Sequence, residues 1–514
     1  MKKAILYLSI ITIVYLLTFL TTAPDKDLWA RLAVGSIFFQ TGSVLKTDIF
    51  SYIPTKDLWI DHEWGSGVVF YFFAKLFGEG GMFALKAFVL LMIIVIILKI
   101  IKYQSGKEPG IMYVLFLALS IDWAFPLLRC QMFTYLFFTL WIYALERMKR
   151  DDHTLIWIFP VTMLLWVNMH GGFLAGMGVL LIYAVGETLN RDHYLKYWGV
   201  LAFMIPVTLM NPYGLDLWRY VIEASFMPRP FIQEWQPVNF IGPNAFIGGF
   251  KVHILSGFAV FALLTFMVGI KLMMKKTKTD WTRILLITIL FYLSVVHQRH
   301  SVFFVLAVSG LFYHHYINLF GFMRKYIEGA FTRPALKILE IVKYSYGYLL
   351  LAVLFIYLLP RLNHHVIVNP YMYPVGSLEF IKQNNISGNL AVGFNWGSYA
   401  FWKLYPQCKV LIDGRYEEVY SDPSFTKAVQ FSVRTGDWQA ILREHPADIL
   451  ILSNDYYSPS DFSYLKNWQP VYHDYVSYVL LPKERIKKLY IHPDYQNPKY
   501  FKEDFAKHIK INPC

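Results

Sequence analysis

Apolar runs of membrane-crossing length recur through the first two thirds of this chain, and few folds can absorb so many of them. A helix needs about 20 mostly apolar residues to cross a bilayer, because it rises about 1.5 Å per residue through about 30 Å of hydrocarbon. Candidate spans lie at roughly 4–21, 80–101, 110–125, 131–146, 154–169, 171–188, 196–211, 252–273, 281–297, 301–320 and 344–360, about eleven in all. Several are short enough that neighbours are expected to pair as re-entrant hairpins. Composition agrees: 56% of the 514 residues are hydrophobic and 16% charged, where a soluble domain carries about 25% charged residues. The first run follows Lys2 and Lys3 and is rather long for a signal peptide, so an uncleaved first helix is expected despite the small residues from Thr21 to Ala23.

The charges supply a second, independent reading. The net charge of +13 would suit nucleic acid if the basic residues shared one soluble face. Instead they fall in alternate gaps between spans: Lys2 and Lys3; Lys102 and Lys107; Arg147, Lys149 and Arg150; Arg191 and Lys196; Lys271, Lys275, Lys276, Lys278 and Arg283; Arg324, Lys325, Arg333, Lys337 and Lys343. The other short gaps hold only Arg129 and Arg299. Cytoplasmic gaps are the ones enriched in Lys and Arg. The N-terminus is therefore expected inside a plasma (inner) membrane, and everything after 361 outside it. No nucleic-acid partner is expected; the bilayer is one. Cys130, Cys408 and Cys514 are too widely spaced to suggest a disulfide framework or a metal site.

This orientation divides the chain into a membrane part, 1–360, with external loops 22–79 and 213–251, and an extracytoplasmic segment, 361–514. In the first loop Leu28, Trp29, Leu32, Ala33 and Ile37 recur at helical spacing, which suits a helix lying on the membrane surface, as does 214–226. In the last segment apolar runs shorten to strand length at Leu390 to Phe394, Val410 to Ile412, Ile449 to Leu452 and Tyr475 to Leu481. Helical patterns at about 397–404, 424–432 and 437–445 alternate with them. A small α/β domain is expected, ending in a surface-associated tail of about 30 residues.

Unusual polar residues collect on the same expected side. They are Asp25 and Asp27; Asp48; Asp61, His62 and Glu63; Arg129; Asn168 and His170; Asn211; Glu234 and Trp235; and His297 to His300. Ionisable groups near membrane depth are costly and generally mark a water-filled functional cavity. Each also has an ordinary explanation. Asp25 and Asp27 would cap a helix, Asp61 to Glu63 would sit in an interfacial belt, and Asn168 and His170 would tie helix ends before a close-packing Gly171-Gly172. Asn211-Pro212-Tyr213-Gly214 reads as a helix stop and turn. Arg129 and Arg299 suit either an ion pair or an anionic lipid headgroup. Carboxylates and arginines at a bilayer surface match glycosyl transfer from a polyprenyl-phosphate sugar. There a carboxylate takes the acceptor proton, and arginine or a metal stabilises the departing phosphate. The competing readings are a transporter of lipid-linked oligosaccharide or polysaccharide, and a non-enzymatic envelope assembly protein. A transporter would place charges at the midplane or on both sides.

Specific motifs then point to a family. Asp25-Lys-Asp27-Leu-Trp29, Gly35, Gly42, Thr47-Asp48-Ile-Phe50-Ser51, Trp59 and His62-Glu63-Trp64 resemble a group of bacterial membrane proteins placed with the GT-C superfamily of polyprenyl-linked-sugar glycosyltransferases. Gln131-Met-Phe133-Thr134-Tyr135, Trp166-Val-Asn168-Met-His170-Gly171-Gly172-Phe173, Asn211-Pro212-Tyr213-Gly214, Glu234-Trp235, Asn395-Trp396-Gly397-Ser-Tyr399 and Ile412-Asp413-Gly414-Arg415 extend the resemblance from about 24 to about 420. The resemblance implies an inverting transferase with its catalytic acid early in the first external loop, at Asp25 with Asp27 as competitor and Glu63 assisting. Arg129, Arg299, His300 and His62 would hold the donor phosphate. Asn168, His170, Glu234, Trp235, Asn395, Trp396, Asp413 and Arg415 would face a glycan or protein acceptor. Metal use stays open between none and a divalent ion (Mg or Mn) held by Asp25, Asp61 and Glu63. Phe394-Asn395-Trp396-Gly397 is similar to the acceptor motif of the oligosaccharyltransferase branch but has Asn where that motif has Trp and lacks its Asp, so transfer to Asn-X-Ser/Thr is not supported. Asn395 as an N-cap and Asp413-Gly414 as a turn are the ordinary alternatives.

Overall fold

The computed structural model describes residues 2–227, 229, 232–238, 251–274, 279–328, 333–486, 489 and 505. In chain order its first part comprises α1 (Lys2–Leu20), α2 (Leu28–Thr41), α3 (Trp64–Ser105), α4 (Ile111–Ile121), α5 (Gln131–Met148), α6 (Ile158–Met169), α7 (Phe173–Asn190) and α8 (Leu195–Thr208). These are followed by α9 (Leu215–Phe226), α10 (Lys251–Met274), α11 (Trp281–Val296), α12 (Ser301–Leu311), α13 (Tyr313–Glu328) and α14 (Arg333–Leu358). Each expected span falls on a helix except 301–320, which is divided between α12 and α13, and the helix lengths differ widely. Among the described residues four helices are long and apolar enough to cross a membrane alone, or five if the pair Gln298–Leu311 and Tyr313–Gly321, bent by 66°, is one span. Five other apolar helices have only 10–17 residues. Length and apolarity thus support a multi-pass helical membrane protein without carrying the count of eleven full crossings.

Contacts sort the polar gaps into two groups. At one end Lys3 and Lys102 both approach Glu108 at 3.8 Å, and Lys149 pairs with Glu187 (2.7 Å) and Asp280 (2.9 Å). Lys196 pairs there with Asp151 (2.7 Å), and Arg283 with the buried Glu146. At the other end Arg129 meets Asp25 and Glu234, Arg229 meets Glu417, and Asp48 meets Arg415. This is the same partition that the alternating charges suggest. Lys86 lies inside the apolar length of α3, where a cation needs partners. Its ammonium donates to the carbonyls of Leu17, Thr18 and Thr21 (3.2, 3.3 and 2.7 Å), satisfying the open end of α1.

The first loop does not lie on a membrane surface as its spacing suggests. Every residue from Leu28 to Ile37 is buried, because α2 is packed between α3 and the terminal domain. A Cβ on Gly35 would stand 2.2 Å from the Gly67 carbonyl oxygen, so these two backbones touch and only glycine fits. α3 itself breaks at Gly78 (φ 55°), which separates its loop-side portion from its apolar length. By contrast α9 keeps an apolar face open, with Leu215, Ile222 and Phe226 exposed and Leu217 and Val221 buried, as expected of an interfacial helix.

The terminal domain comprises α15 (Val375–Gln383), β1 (Gly388–Ala391), α16 (Phe394–Leu404), β2 (Cys408–Val410), α17 (Tyr416–Val419), α18 (Asp422–Val433), α19 (Ala440–Glu444), β3 (Ile449–Ser453), β4 (Trp468–His473) and β5 (Ser477–Pro482). The strand order is β2-β1-β3-β5-β4, with β2, β1 and β3 parallel and the last two pairings antiparallel. Four strands match the expected runs. β4 was not expected: it is an edge strand carrying Pro470, a residue tolerated only at edges and irregularities. Ser51 bridges β2 in parallel at Val410, with Val410 donating to Phe50 (2.8 Å) and Tyr52 to Val410 (3.1 Å), so the first loop is continuous with the sheet. Most of the expected surface tail, like 239–250 of the second loop, lies outside the described residues. Phe505 is described and stacks on Trp29 at 5.8 Å.

Candidate functional site

One helical turn separates Asp27 from Arg31, which places both at the start of α2 on one face. Arg31 is the sole charge in a helix otherwise made of apolar and small polar residues. It is 2% exposed, and a buried cation persists only when paired. Its partners come from three segments: Asp61 at close range, Glu63 at 3.6 Å and Glu418 of α17 at 3.6 Å. Trp59 Nε1 donates to Glu418 (3.1 Å), tying the loop to the terminal domain at the same point. Asp61 also accepts from the Glu63 backbone (3.0 Å), and its own N–H donates to the Tyr213 hydroxyl (3.1 Å).

Two histidines complete this layer. His62 stands 3.5 Å from Glu418 through Nδ1 and 3.8 Å from Glu63 through Nε2. His170 accepts at Nδ1 from the Gly172 N–H (2.9 Å) and lies 2.8 Å from the Thr134 hydroxyl, whose oxygen accepts from Trp166 Nε1 (2.8 Å). Nδ1 being an acceptor, the ring proton sits on Nε2, which faces Glu63 at 3.4 Å. Burial lowers His62 and pushes His170 down to about 3, so neither ring is a cation at neutral pH. Burial alone would raise Glu63, but the Arg31 guanidinium foremost pulls it to about 2. Glu418 goes the other way: burial outweighs Arg31, and Asp61 and Glu63 add to the rise.

These groups border a cavity of 320 Å³ that also takes in Gln131, Tyr220, Arg299, His300 and the 414–418 segment. Asp27 opens into it at a solvent-exposed position. Desolvation by the protein packed around it, then the Asp25 and Glu63 charges, push its carboxyl up to about 7. Among the described residues Asp27 has no salt-bridge partner, and neither has Arg299, whose guanidinium lies over the Trp235 ring at 4.6 Å. Gly414 comes so close that a Cβ there would stand 2.9 Å from Asp27 Oδ1. Two further spaces adjoin. An apolar groove of 240 Å³ runs between α5, α7 and α11 and shares Leu174, Ala175, His300 and Phe303 with the cavity. A cleft of 470 Å³ against the terminal sheet shares Arg229, Ile232 and Tyr416 with it.

Of the residues singled out from sequence, Asp27, His62, Glu63, His170, Trp235, Arg299, His300 and Arg415 line the cavity. Asp25 does not; its carboxylate faces Arg129 at 3.7 Å and accepts the Asp27 N–H at 3.0 Å. Arg129 is held by Glu234 at 2.6 Å, leaving both committed to each other. Asn168 ties helix ends, accepting from Trp64 Nε1 (3.1 Å) and donating to Leu164 and Met210 carbonyls (2.8 and 3.0 Å). Gly171 and Gly172 crowd His62 and the His170–Thr134 pair rather than a packed helix. Asn395 and Trp396 lie in the terminal-domain cleft. Asn395 is not an N-cap, because α16 begins one residue earlier and its Oδ1 accepts from Lys26 instead (2.9 Å). Asp413 grips Arg415 through two hydrogen bonds (2.7 and 2.6 Å) and accepts from Tyr420 (2.6 Å), and Arg415 reaches on to Asp48. This pair joins loop to domain instead of forming a free turn. The metal set expected from sequence is likewise rearranged: Asp61 is taken by Arg31 and Asp25 by Arg129. The ligand atoms that converge, within 4.8 Å of one another, belong to His62, Glu63 and Glu418. Arg31 and Glu418 were missed. Arg31 had a signal, a lone charge one turn after Asp27; Glu418 had none, since its neighbours are far away in sequence.

No family model matches this chain, and no curated protein matches it in sequence. Solved structures do. The oligosaccharyltransferase AglB of Archaeoglobus fulgidus, in complex with an inhibitory peptide and a dolichol-phosphate, aligns with TM-score 0.59 at 9% identity over 88% of this chain and 70% of that one. The same organism's oligosaccharyltransferase tethered to an acceptor peptide containing the NVT sequon aligns with TM-score 0.55 at 10% identity, over 88% and 68%. ArnT from Cupriavidus metallidurans, bound to undecaprenyl phosphate, aligns with TM-score 0.50 at 13% identity, over 93% and 97%. At these identities the likeness is one of fold alone.

Proposed function

We propose that this protein is a membrane glycosyltransferase that moves a sugar from a polyprenyl-phosphate or -diphosphate donor to an acceptor hydroxyl on the extracytoplasmic side, with inversion. The observation that carries this reading is the continuity of the polar cavity with the apolar groove through His300 and Phe303. One end of that space suits a lipid chain and the other an anionic, sugar-bearing headgroup. Asp27 is the base. It is preferred to Asp25 because it opens into the cavity with no ion-pair partner among the described residues, and its raised pKa suits proton transfer near neutrality. The acceptor oxygen attacks the anomeric carbon, its proton passes to Asp27, and the bond from that carbon to the donor phosphate oxygen breaks. Arg299, which has no ion-pair partner among the described residues, receives the charge on the departing phosphate.

The ligand atoms of His62, Glu63 and Glu418 converge, and His62 Nδ1 is buried without a hydrogen-bond partner among the described residues, so the set fits a divalent ion that would compete with Arg31, which approaches both carboxylates at 3.6 Å. Those three residues would hold it, and it would supply further charge stabilisation to the phosphate. A carboxylate-lined cavity open to an apolar groove is not what a non-enzymatic assembly protein requires. The test is transfer from a polyprenyl-phosphate sugar in membranes. Asp27→Asn is expected to lower turnover by at least about 100-fold with undecaprenyl phosphate still bound. Arg299→Ala is expected to weaken that binding by about tenfold. Full turnover in Asp27→Asn would refute the assignment of the base.

A further inference from the structure

The cleft beside the cavity is the larger of the two, 470 Å³ against 320 Å³. It lies beyond the carboxyl ends of two adjacent parallel strands: Gly393 to Trp396 follow β1, and Ser453 and Asp455 end and follow β3. The chain passes from β1 to β2 on one side, then crosses back to β3 on the other. The winding direction therefore reverses between β1 and β3, and α/β sheets bind ligands in the crevice at that reversal.

The lining indicates the class of ligand. Aromatic rings flank the cleft, with Phe394, Trp396, Tyr416 and Phe425 in its walls and Tyr371 and Tyr456 exposed at 67% and 49%. Two cations reach it: Arg229, paired with Glu417, and Lys26, which bonds to the neutral Asn395 side-chain oxygen and stands in the field of Asp25 and Asp27. Asp455 in the lining, Glu417 on Arg229, and Asp25 and Asp27 near Lys26 offset these two cations, so the described lining carries no net positive charge to draw in an anion. The Asn395 amide N–H groups and the Asp455 carboxylate remain as donor and acceptor. β1 and β3 are each paired on both sides, so no strand edge is offered to an extended peptide. Flat apolar faces joined to a ring of neutral hydroxyls describe a carbohydrate, whose C–H faces stack on aromatic rings while its hydroxyls bond to amide and carboxylate.

We infer that this cleft binds a neutral saccharide, the portion of a glycan acceptor that precedes its reacting sugar. The inference rests on the transferase reading for its role, since Arg229, Ile232 and Tyr416 border both spaces and lead from the cleft toward Asp27. Its ligand class stands on the cleft alone. The experiment uses the full-length protein in lipid nanodiscs, probed with an array of short neutral oligosaccharides, with a library of unmodified peptides, and separately with undecaprenyl phosphate. At least one oligosaccharide is expected to bind. Tyr371→Ala/Tyr456→Ala and Asp455→Ala, all at exposed positions, are expected to weaken it about tenfold while leaving undecaprenyl phosphate affinity unchanged. Three outcomes overturn the inference: no oligosaccharide bound by protein that binds undecaprenyl phosphate, binding that all these variants leave intact, or peptides bound and lost in the same variants. Saccharide binding without undecaprenyl phosphate binding would instead count against the transferase and leave the cleft's ligand class standing.

Discussion

Asp27 and Glu63 are carboxylates on one cavity whose environments drive them apart, Asp27 up to about 7 and Glu63 down to about 2. Such a divergence separates a proton acceptor from a permanent charge. The sign follows directly: below pH 7 Asp27 is protonated and cannot accept a proton, so transfer rises with pH through about 7 and then levels. Glu63→Gln removes a negative charge that raises Asp27, and should move this limb to lower pH. A kcat/KM profile between about pH 5.5 and 8.5 checks both, and a flat profile would exclude Asp27 as the base. Gly414→Ala offers a complementary measurement. Its Cβ would meet the tip of the Asp27 side chain, not backbone, so stability should hardly change while kcat falls by about tenfold as the carboxylate is displaced. Loss of folded protein would show that the close approach is structural.

At the next level the helices decide what the cavity is joined to. α5, α7 and α11 leave a groove lined by Phe138, Val179, Ile182, Leu290 and Leu293, with Ala175 where it meets the cavity. Replacing Ala175 with Trp would fill that junction. The expected result is an affinity for undecaprenyl phosphate at least about tenfold lower, with a water-soluble short-chain prenyl phosphate bound as before. Equal loss of both would mean that the groove does not hold the chain. The positions of these helices were legible, since every expected span but 301–320, which breaks into two, falls on one. Their lengths were less so, because hydropathy windows do not see where a short apolar helix stops: α6 spans Ile158–Met169 and α4 Ile111–Ile121. α2 was misjudged for a related reason. Helical spacing of apolar residues tells which residues seek burial, not whether lipid or protein buries them.

Across the whole molecule, the first loop and the terminal domain form one packed body. Phe50 stacks on Phe401 at 4.3 Å, Trp29 packs on Tyr399 at 4.8 Å, and Arg415 sits between Asp48 and Asp413 with every charge buried. Removing one member of a buried ionic group leaves the others uncompensated, at a cost on the order of 3–5 kcal/mol. Arg415→Met should therefore sharply lower the temperature at which the buried Cys130 and Cys408 thiols become reactive. An unchanged midpoint would mean that the loop is held by its strand pairing and aromatic contacts instead.

These long-range joins explain what could be read from sequence and what could not. Hydropathy and charge alternation are properties of short windows, acting through lipid and membrane potential, and they sufficed for the helical membrane class and for the two-ended arrangement of the gaps. The strand-helix alternation that marks the terminal sheet is equally local. Which carboxylate is free is not local. Asp25, Asp27 and Asp61 look alike in the chain, and the difference among them is made by Arg129, by an open cavity and by Arg31. Glu418 joins the site only because Arg31, a lone charge buried in α2, must draw its partners from wherever the fold brings acids within reach.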